Sequence, residues 1–199
     1  MKLAVVIVHY NSSSDLRRCL ESLVAYAPAV EHRIIIVDNA SDDDGLAGVH
    51  KNYPQFQWLF SKENLGYSKG CNLGMAQADA EYYLVLNPDI VVQPGALQQL
   101  LDFADRSPRA GMVGPQLLNE DLSVQDSCRR FYTLKTLLLR RTFLGKIFPN
   151  SETVRLHLMG DFDHQSVRPV DWVLGGCLLV RRSAMQRTGP MDERFFLYF

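Results

Sequence analysis

Two oxygen-bearing side chains follow directly on an apolar run in the middle of the chain. Asn87-Pro88-Asp89 comes after Tyr82-Tyr83-Leu84-Val85-Leu86, which has the composition of a buried strand. Proline fixes its own φ and keeps the preceding residue extended, so Asn87 and Asp89 are predicted to project to the same side. Amide and carboxylate oxygens are ligands that Mg²⁺ and Mn²⁺ prefer. The tripeptide therefore predicts a divalent-cation site, with a plain turn as the alternative because all three residues are turn formers.

Polar residues also follow the first two predicted strands. His9-Tyr10-Asn11 comes after residues 3–8, and Asp38 comes after residues 33–37. The carboxyl ends of parallel strands form the edge at which open α/β sheets bind their ligands. Asp38 is thus predicted to accept hydrogen bonds from a bound base or sugar, with Tyr10 and Asn11 beside the same cleft. The alternatives are that Asp38 and Ser41 cap a helix and that Tyr10 closes the core.

Small residues open the helix predicted to begin near residue 67. Residues 64–74 could turn backbone N–H groups and the positive end of the helix dipole toward a phosphate. The glycines in this stretch are four residues apart, a spacing that matches neither the Rossmann G-x-G-x-x-G nor the Walker loop. A dehydrogenase and a P-loop kinase are therefore disfavoured.

A serine esterase is a further alternative. Residues 66–70 match the G-x-S-x-G nucleophile elbow, which would use Ser68 with His157 or His164 as its base. Such an elbow needs a strand that runs straight into the serine. Four residues, 61–64, already intervene after the predicted strand that ends at Phe60, so this signal is weak.

Length and composition predict one domain without a strong overall charge. The chain has 199 residues, of which 47% are hydrophobic, and its 21 Lys and Arg nearly balance its 22 Asp and Glu. No overall field attracts nucleic acid or an anionic membrane. The four cysteines have no zinc-ligand spacing and are predicted to be reduced thiols. Because no signal-peptide core or membrane-spanning stretch is found, a cytoplasmic location is expected.

Strand-like and helix-like stretches alternate, as in a Rossmann-like α/β fold with a mostly parallel central sheet and helices on both faces. Strands are predicted at residues 3–8, 33–37, 56–60, 82–86, 111–114 and 173–180, the last interrupted by Gly175-Gly176. Helices are predicted at residues 16–24, 45–52, 67–78 and 97–104, the last with Pro94 in its first turn.

The segment of residues 129–155 is basic and amphipathic. It combines Leu, Phe and Ile with seven Lys and Arg. It could lie on the surface of a membrane that carries a lipid-linked substrate, or it could pack one apolar face on the core. Farther on, the chain stops within the apolar run 195–199, and it is therefore expected to be a fragment of a longer protein.

Taken together, these motifs resemble family 2 glycosyltransferases, particularly their rhamnosyltransferase-like branch. The resemblance spans the whole chain and rests on the order and spacing of the motifs at residues 6–11, 37–41, 64–66, 72, 86–89 and 171–176. It implies a GT-A fold, a nucleotide-sugar donor, a divalent cation, Mg²⁺ or Mn²⁺, and inversion at the anomeric carbon. A single such domain is expected, with a nucleotide-sugar-binding half at 1–118 and an acceptor-side half at 119–199.

The resemblance also assigns roles by position. It places Tyr10, Asn11 and Asp38 around the base of the donor, and Asn64, Gly66 and Asn72 near its ribose and diphosphate. Asp89 corresponds to the cation-binding acid of the D-x-D motif, in which Asn87 replaces the first acid. Trp172, Gly175 and Gly176 line the acceptor side of the cleft.

The resemblance implies a general base in a Glu-Asp pair that lies beyond Phe199, so donor binding with little or no transfer is expected from this chain. Asp192 and Glu193 are expected to stabilise the fold and are not assigned as the base. The expected reaction moves a sugar, with rhamnose favoured, from a dTDP- or UDP-linked donor to a glycan or lipid-linked acceptor in surface polysaccharide synthesis. A non-catalytic nucleotide-binding module is the alternative from a different class.

Overall fold

The computed structural model describes residues 1–143, 147–148 and 151–197. The chain divides into two compact units. The first comprises residues 1–113 together with the chain from residue 175 onward, and the second comprises residues 114–174. These bounds differ from the expected division at residue 118, which concerns function and stays a prediction.

The elements of the first unit alternate between strand and helix over most of its length. Its strands are β1 (Leu3–His9), β2 (His32–Asp38), β3 (Gln57–Phe60), β4 (Tyr82–Leu86), β5 (Met112–Val113) and β10 (Cys177–Arg181). Its helices are α1 (Ser13–Ala25), α2 (Leu46–Asn52), α3 (Tyr67–Met75), α4 (Ala96–Arg106) and α7 (Arg182–Thr188). Each helix predicted in this unit is confirmed to within a few residues.

In the part of the chain that the structure describes, six strands form a central sheet in the order β3-β2-β1-β4-β10-β5. The first four are mutually parallel, whereas β10 runs antiparallel to both of its neighbours. All seven residues of β1 are buried, so both faces of this strand are covered. The predicted α/β fold with a mostly parallel sheet is confirmed, and the carboxyl ends of β1, β2 and β4 meet at one edge.

Helix α3 packs closely on the sheet because two of its residues are glycines. A Cβ at Gly74 would lie 2.4 Å from Val6 Cγ1, and one at Gly70 would lie 2.9 Å from Val8 Cγ1. Any larger side chain at these positions would push the helix away from β1. Gly70 and Gly74 therefore set the distance between α3 and the sheet.

One local prediction needs correction. Pro94 is not in the first turn of α4, because Gly95 adopts a left-handed φ of +74° and the helix begins only at Ala96. The predicted interruption at Gly175-Gly176 is confirmed, because the strand-like stretch of residues 173–180 forms parts of two strands. Its first part is β9 (Trp172–Val173), which belongs to a different sheet from β10.

The second unit consists of short strands and helices. The strands are β6 (Leu117–Leu118), β7 (Val124–Gln125), β8 (Cys128–Arg129) and β9, which pair antiparallel as β6-β7 and β8-β9. The helices are α5 (Leu134–Arg141) and α6 (Glu152–His157). Part of the basic segment, residues 144–146 and 149–150, lies outside the described residues. Over the described ranges, no helix is long and apolar enough to cross a bilayer.

Candidate functional site

The loops that follow β1 and β2 are joined by hydrogen bonds that use the predicted base-binding residues. The backbone N–H of Asn11 donates to Ser41 Oγ at 3.0 Å, and Asn11 Oδ1 accepts from the backbone N–H of Asp42 at 2.9 Å. Asn11 and Ala40 both have positive φ, at 50° and 63°. Such conformations in residues other than glycine are uncommon and concentrate at functional sites. The two loops thus form one constrained edge.

Asp38 and Tyr10 occupy different positions on this edge. Asp38 is buried at the end of β2, where its Oδ1 accepts a hydrogen bond from the backbone N–H of Ser41 at 3.3 Å. Tyr10 is half exposed, so it does not close the core as one alternative held. An aromatic ring on the surface beside a buried carboxylate is a suitable arrangement for stacking and hydrogen bonding with a nucleobase.

Asn39 connects the edge to the loop before α3. Its Nδ2 donates to Asn64 Oδ1 at 2.7 Å, and its Oδ1 accepts from the backbone N–H of Leu65 at 2.8 Å. Asn64 Oδ1 also accepts from the backbone N–H of Gly66 at 3.0 Å. Sequence reasoning placed Asn39 in a motif but gave it no role. A polar residue directly after a buried strand was the only signal available for it.

Gly66 has a backbone conformation that residues with a side chain rarely adopt. Its φ is +79°, and a Cβ there would lie 2.6 Å from the backbone oxygen of Phe196. The same oxygen accepts a hydrogen bond from the backbone N–H of Tyr67 at 2.6 Å. The first turn of α3 is therefore in direct contact with residue 196, far along the chain.

The side chain of Asn72 is engaged within the protein. Its amide exchanges two hydrogen bonds with the backbone of Met191, at 2.8 and 3.0 Å, and also donates to Glu193 Oε1 at 3.1 Å. These contacts give Asn72 a structural role in holding residues 191–193 against α3. Its predicted place near a donor diphosphate stays a prediction.

Tyr67 and Asn87 meet at the end of β4. The Tyr67 hydroxyl lies 2.9 Å from Asn87 Oδ1 and 3.1 Å from the carbonyl oxygen of Gly175, so one phenol proton is shared by two acceptors. The backbone N–H of Asn87 donates to the carbonyl oxygen of Gly176 at 2.9 Å. Burial raises the pKa of Tyr67, so the phenol remains a protonated donor. Gly175 and Gly176, predicted on the acceptor side, thus lie beside Asn87.

Asp89 is exposed just beyond Asn87. Among the described residues no cluster of three or more His, Cys, Asp or Glu side chains could hold a metal ion. One carboxylate and one amide would nevertheless suit a Mg²⁺ or Mn²⁺ ion that takes its other ligands from a diphosphate and water. The donor set therefore fits a cation that arrives with a substrate. Because Asn87 Oδ1 already accepts from Tyr67, Asp89 would be the principal protein ligand.

His9 lies beneath the same edge in a cluster of buried polar groups. His9 Nδ1 lies 3.2 Å from Ser12 Oγ, and His9 Nε2 lies 3.9 Å from Asp43 Oδ1. His9 Nε2, Ser13 Oγ and Asp43 Oδ1 are buried without a hydrogen-bond partner among the described residues. Burial lowers the pKa of His9 and outweighs the opposing effect of the nearby carboxylates. The imidazole is therefore neutral near pH 7.

Two acids near the C-terminal end of the described chain have structural partners. Asp192 forms a bidentate ion pair with Arg194, and these hydrogen bonds lower the pKa of Asp192 to about 2. A carboxylate with so low a pKa is a weak general base. Glu193 accepts the hydrogen bond from Asn72 described above. Both acids thus have partners within the chain, and their expected role in stabilising the fold stays a prediction.

Trp172, His157 and His164 lie in the second unit. Trp172 Nε1 donates to the carbonyl oxygen of Arg130 at 3.2 Å, and its ring stacks with that of Tyr132 at 6.3 Å. His157 and His164 are buried. The acceptor-side role of Trp172 stays a prediction.

Ser68 does not form a nucleophile elbow. It is the second residue of α3, and residues 61–66 separate that helix from the end of β3. The strand therefore does not run into the serine, which is the geometry that G-x-S-x-G requires. The esterase alternative loses its structural basis.

A surface cavity of about 670 Å³ lies elsewhere, at the amino end of β4. It contains an ion pair between Arg182 and Asp79. Its lining comprises Met1, Asp79, Ala80, Glu81, Arg181, Arg182, Ser183 and Gln186. None of these residues belongs to the loops at the carboxyl edge of the sheet, so this cavity is separate from the candidate site.

Comparison with known proteins identifies the family of this chain. The family model of Glycosyl transferase family 2 matches residues 4–162. An N-acetylglucosaminyl-diphospho-decaprenol L-rhamnosyltransferase of Mycobacterium tuberculosis is 35% identical over 207 residues, which cover 98% of this chain and 66% of the relative. The chain thus spans just under two thirds of the length of that relative.

Solved structures share the fold. The Staphylococcus aureus protein TarS (1-349) in complex with UDP superposes with a TM-score of 0.63 at 19% identity, over 98% of this chain and 52% of TarS. The mannosyltransferase PcManGT from Pyrobaculum calidifontis, in complex with GDP-Man and Mn²⁺, gives a TM-score of 0.61 at 16% identity, over 96% and 48%. The expected GT-A fold is confirmed.

Proposed function

This chain belongs to glycosyl transferase family 2, and we propose that its protein is an inverting glycosyltransferase that uses a nucleotide-diphosphate sugar. The acceptor is a glycan or a lipid-linked sugar in surface polysaccharide synthesis. Rhamnose is the first candidate for the transferred sugar, because the mycobacterial relative is named as a rhamnosyltransferase that acts on a decaprenol-linked substrate. Since nucleotide sugars are made in the cytoplasm, we place the reaction there.

One observation carries this proposal: polar groups from three strand ends converge at one edge of the sheet. Asn11 joins the loops after β1 and β2, Asn39 joins the second loop to the start of α3, and Tyr67 joins α3 to the end of β4. Each of these contacts fixes a loop by a hydrogen bond, and those of Asn39 and Tyr67 are partly buried. The result is a pre-organised edge, which reduces the entropy lost when a donor binds.

Each part of the edge has a role in holding the donor. Tyr10 and Asp38 face the base, whereas Asn64 and Gly66 shape the loop near the ribose and diphosphate. Asp89, with Asn87 beside it, would hold Mg²⁺ or Mn²⁺ against the diphosphate. A cation bound there would offset the negative charge that develops on the departing nucleoside diphosphate.

Tyr67 positions Asn87 for this task. Its hydroxyl binds the amide oxygen, while the backbone of Asn87 is held by Gly176. Asn87 therefore contributes a neutral, oriented amide to the cation site. The only negatively charged side chain of the pair is that of Asp89. One negative charge rather than two predicts weak metal affinity without nucleotide and tighter binding with it.

Calorimetric titration tests the donor site. UDP and dTDP would be titrated into the wild type with Mn²⁺ and after dialysis against EDTA, and then into Asp89→Ala. We expect binding that needs the metal, and at least a tenfold loss in Asp89→Ala, equal to about 1.4 kcal/mol. Glu21→Ala, which removes an exposed carboxylate from α1, is the matched control and should bind like the wild type.

Three outcomes would contradict the proposal. These are no binding of either nucleotide, unchanged binding in EDTA, and full affinity in Asp89→Ala. A non-catalytic nucleotide-binding module is the second candidate. Metal-dependent nucleotide binding with no sugar transfer by the full-length protein would support that candidate.

A further inference from the structure

Helix α5 exposes its leucines instead of burying them. The exposed fraction is 82% for Leu134, 54% for Leu138 and 40% for Leu137, whereas Thr136 and Leu139 are buried on the other side. Positions 134, 137, 138 and 141 lie on one stripe of a helix, because residues three, four and seven apart share a face. The apolar stripe that residues 134, 137 and 138 form therefore faces solvent.

Large apolar residues continue this exposed surface along the chain on both sides of α5. Phe131 is 68% exposed and Phe143 is 69% exposed, at three residues before the helix and two residues after it. Ile147 and Phe148 are also more than half exposed. Single exposed apolar residues are ordinary, but a helix face with aromatic residues at both ends marks an interaction surface.

The sequence of this region carries only positive charges. Residues 127–151 contain six Lys and Arg and no Asp or Glu. Arg130 forms an ion pair with Asp161 at 2.9 Å, and Arg140 is held by Tyr132 and His157. Lys135 and Arg141 have no ion-pair partner in the described part of the chain, so their charges beside the apolar stripe are uncompensated.

We propose that α5, with Phe131 and Phe143, docks the protein on a bilayer surface that contains anionic lipids. Leucine and phenylalanine would enter the boundary between headgroups and acyl chains, while Lys135 and Arg141 would contact lipid phosphates. Charge favours lipid as the occupant: the cations on α5 itself, Lys135 and Arg141, complement an anionic surface and would repel α5 of a second copy. The docking requires no nucleotide, and it is independent of the donor site.

Vesicle sedimentation tests the docking. The wild type would be mixed with vesicles of phosphatidylcholine alone, or with 30% phosphatidylglycerol, in the absence of nucleotide. We expect binding to the anionic vesicles that is at least tenfold stronger, and that weakens as salt is raised. Leu134→Ser/Leu138→Ser should lose at least tenfold in partitioning. Val24→Ser/Val167→Ser removes two exposed apolar residues elsewhere and is the matched control.

A second pair of variants isolates the charge. Lys135→Gln/Arg141→Gln should lose most of the preference for anionic vesicles, whereas the control Lys51→Gln/Arg187→Gln, at exposed positions on α2 and α7, should keep it. Circular dichroism and thermal unfolding would show that all variants remain folded.

Three results would overturn the proposal. These are failure of the wild type to bind anionic vesicles, equal binding by the α5 variants and their controls, and a concentration-dependent dimer that disappears in Leu134→Ser/Leu138→Ser. The last result would identify a second copy of the chain as the occupant. None of them bears on nucleotide binding, which is measured without vesicles.

Discussion

Asn39 Nδ2 lies 2.7 Å from Asn64 Oδ1, and this contact joins the loop after β2 to the loop that precedes α3. Asn39 is only 3% exposed. Its Oδ1 accepts a hydrogen bond from the backbone N–H of Leu65, so the Asn39 side chain is both a donor and an acceptor. The shape of the candidate donor site therefore depends on one buried side chain.

Replacing Asn39 should destabilise the protein. Asn39→Ala leaves the partly buried Leu65 N–H without its partner, which should cost about 1 kcal/mol in the free energy of unfolding. Urea denaturation would measure the loss, with Asn52→Ala at the exposed end of α2 as the control. In a double-mutant cycle with Asn64→Ala, purely additive losses would refute a direct interaction between the two amides.

Gly66→Ala should be among the least tolerated glycine substitutions. The φ of +79° alone costs a side chain about 1–2 kcal/mol, and the new Cβ would also collide with Phe196. Gly48→Ala is the control, because a Cβ there meets nothing within 4 Å inside α2 and should stabilise by about 0.5–1 kcal/mol. The unfolding temperature should thus move in opposite directions in the two variants, and equal shifts would contradict both the positive φ of Gly66 and its contact with Phe196.

Because of His9, we expect the protein to lose stability on acidification. Burial lowers the pKa of His9 below its unfolded value of 6.5, so the unfolded chain binds the proton more readily. The stability contributed is complete above about pH 7, and it is lost as the pH falls from 6.5 toward the lowered folded pKa. Urea midpoints between pH 8 and pH 5 would measure this slope.

His9→Asn removes the titrating group and should flatten that slope. The variant should keep some dependence, because burial and Arg140 also lower the pKa of His157. His50→Asn, at an exposed position on α2, is the matched control. An unchanged slope in His9→Asn would mean that His9 is protonated alike in both states.

Tyr67→Phe tests the link between α3 and the predicted cation site. Loss of the hydroxyl removes its contacts to Asn87 Oδ1 and the Gly175 carbonyl, and should cost about 0.5–1.5 kcal/mol in stability. Metal-dependent nucleotide affinity should also fall several-fold, because Asn87 is no longer oriented. Tyr26→Phe, at an exposed position beyond α1, is the control. Unchanged nucleotide affinity in Tyr67→Phe would remove the positioning role but not the structural one.

The sequence by itself determined the order of the elements and one edge of the sheet. Apolar runs without alternation are typical of strands in a sheet that is covered on both faces, so residues 3–8, 33–37 and 82–86 were predictable as parallel strands. Polar residues at the ends of those runs must then meet at one edge. Asn11, Asp38 and Asn87 were found in this way, since strand direction alone decides on which edge they lie.

Tertiary structure decided the contacts between residues far apart in the chain. No local pattern indicates that Asn72 pairs with Met191, or that Gly66 lies against Phe196, because these pairs are more than 100 residues apart. The antiparallel pairing of β10 with β4 is likewise long-range, and it brings Gly176 to Asn87. The periodicity of a sequence predicts which face of a helix or strand is apolar. It does not predict which other element packs on that face, because that depends on the tertiary fold.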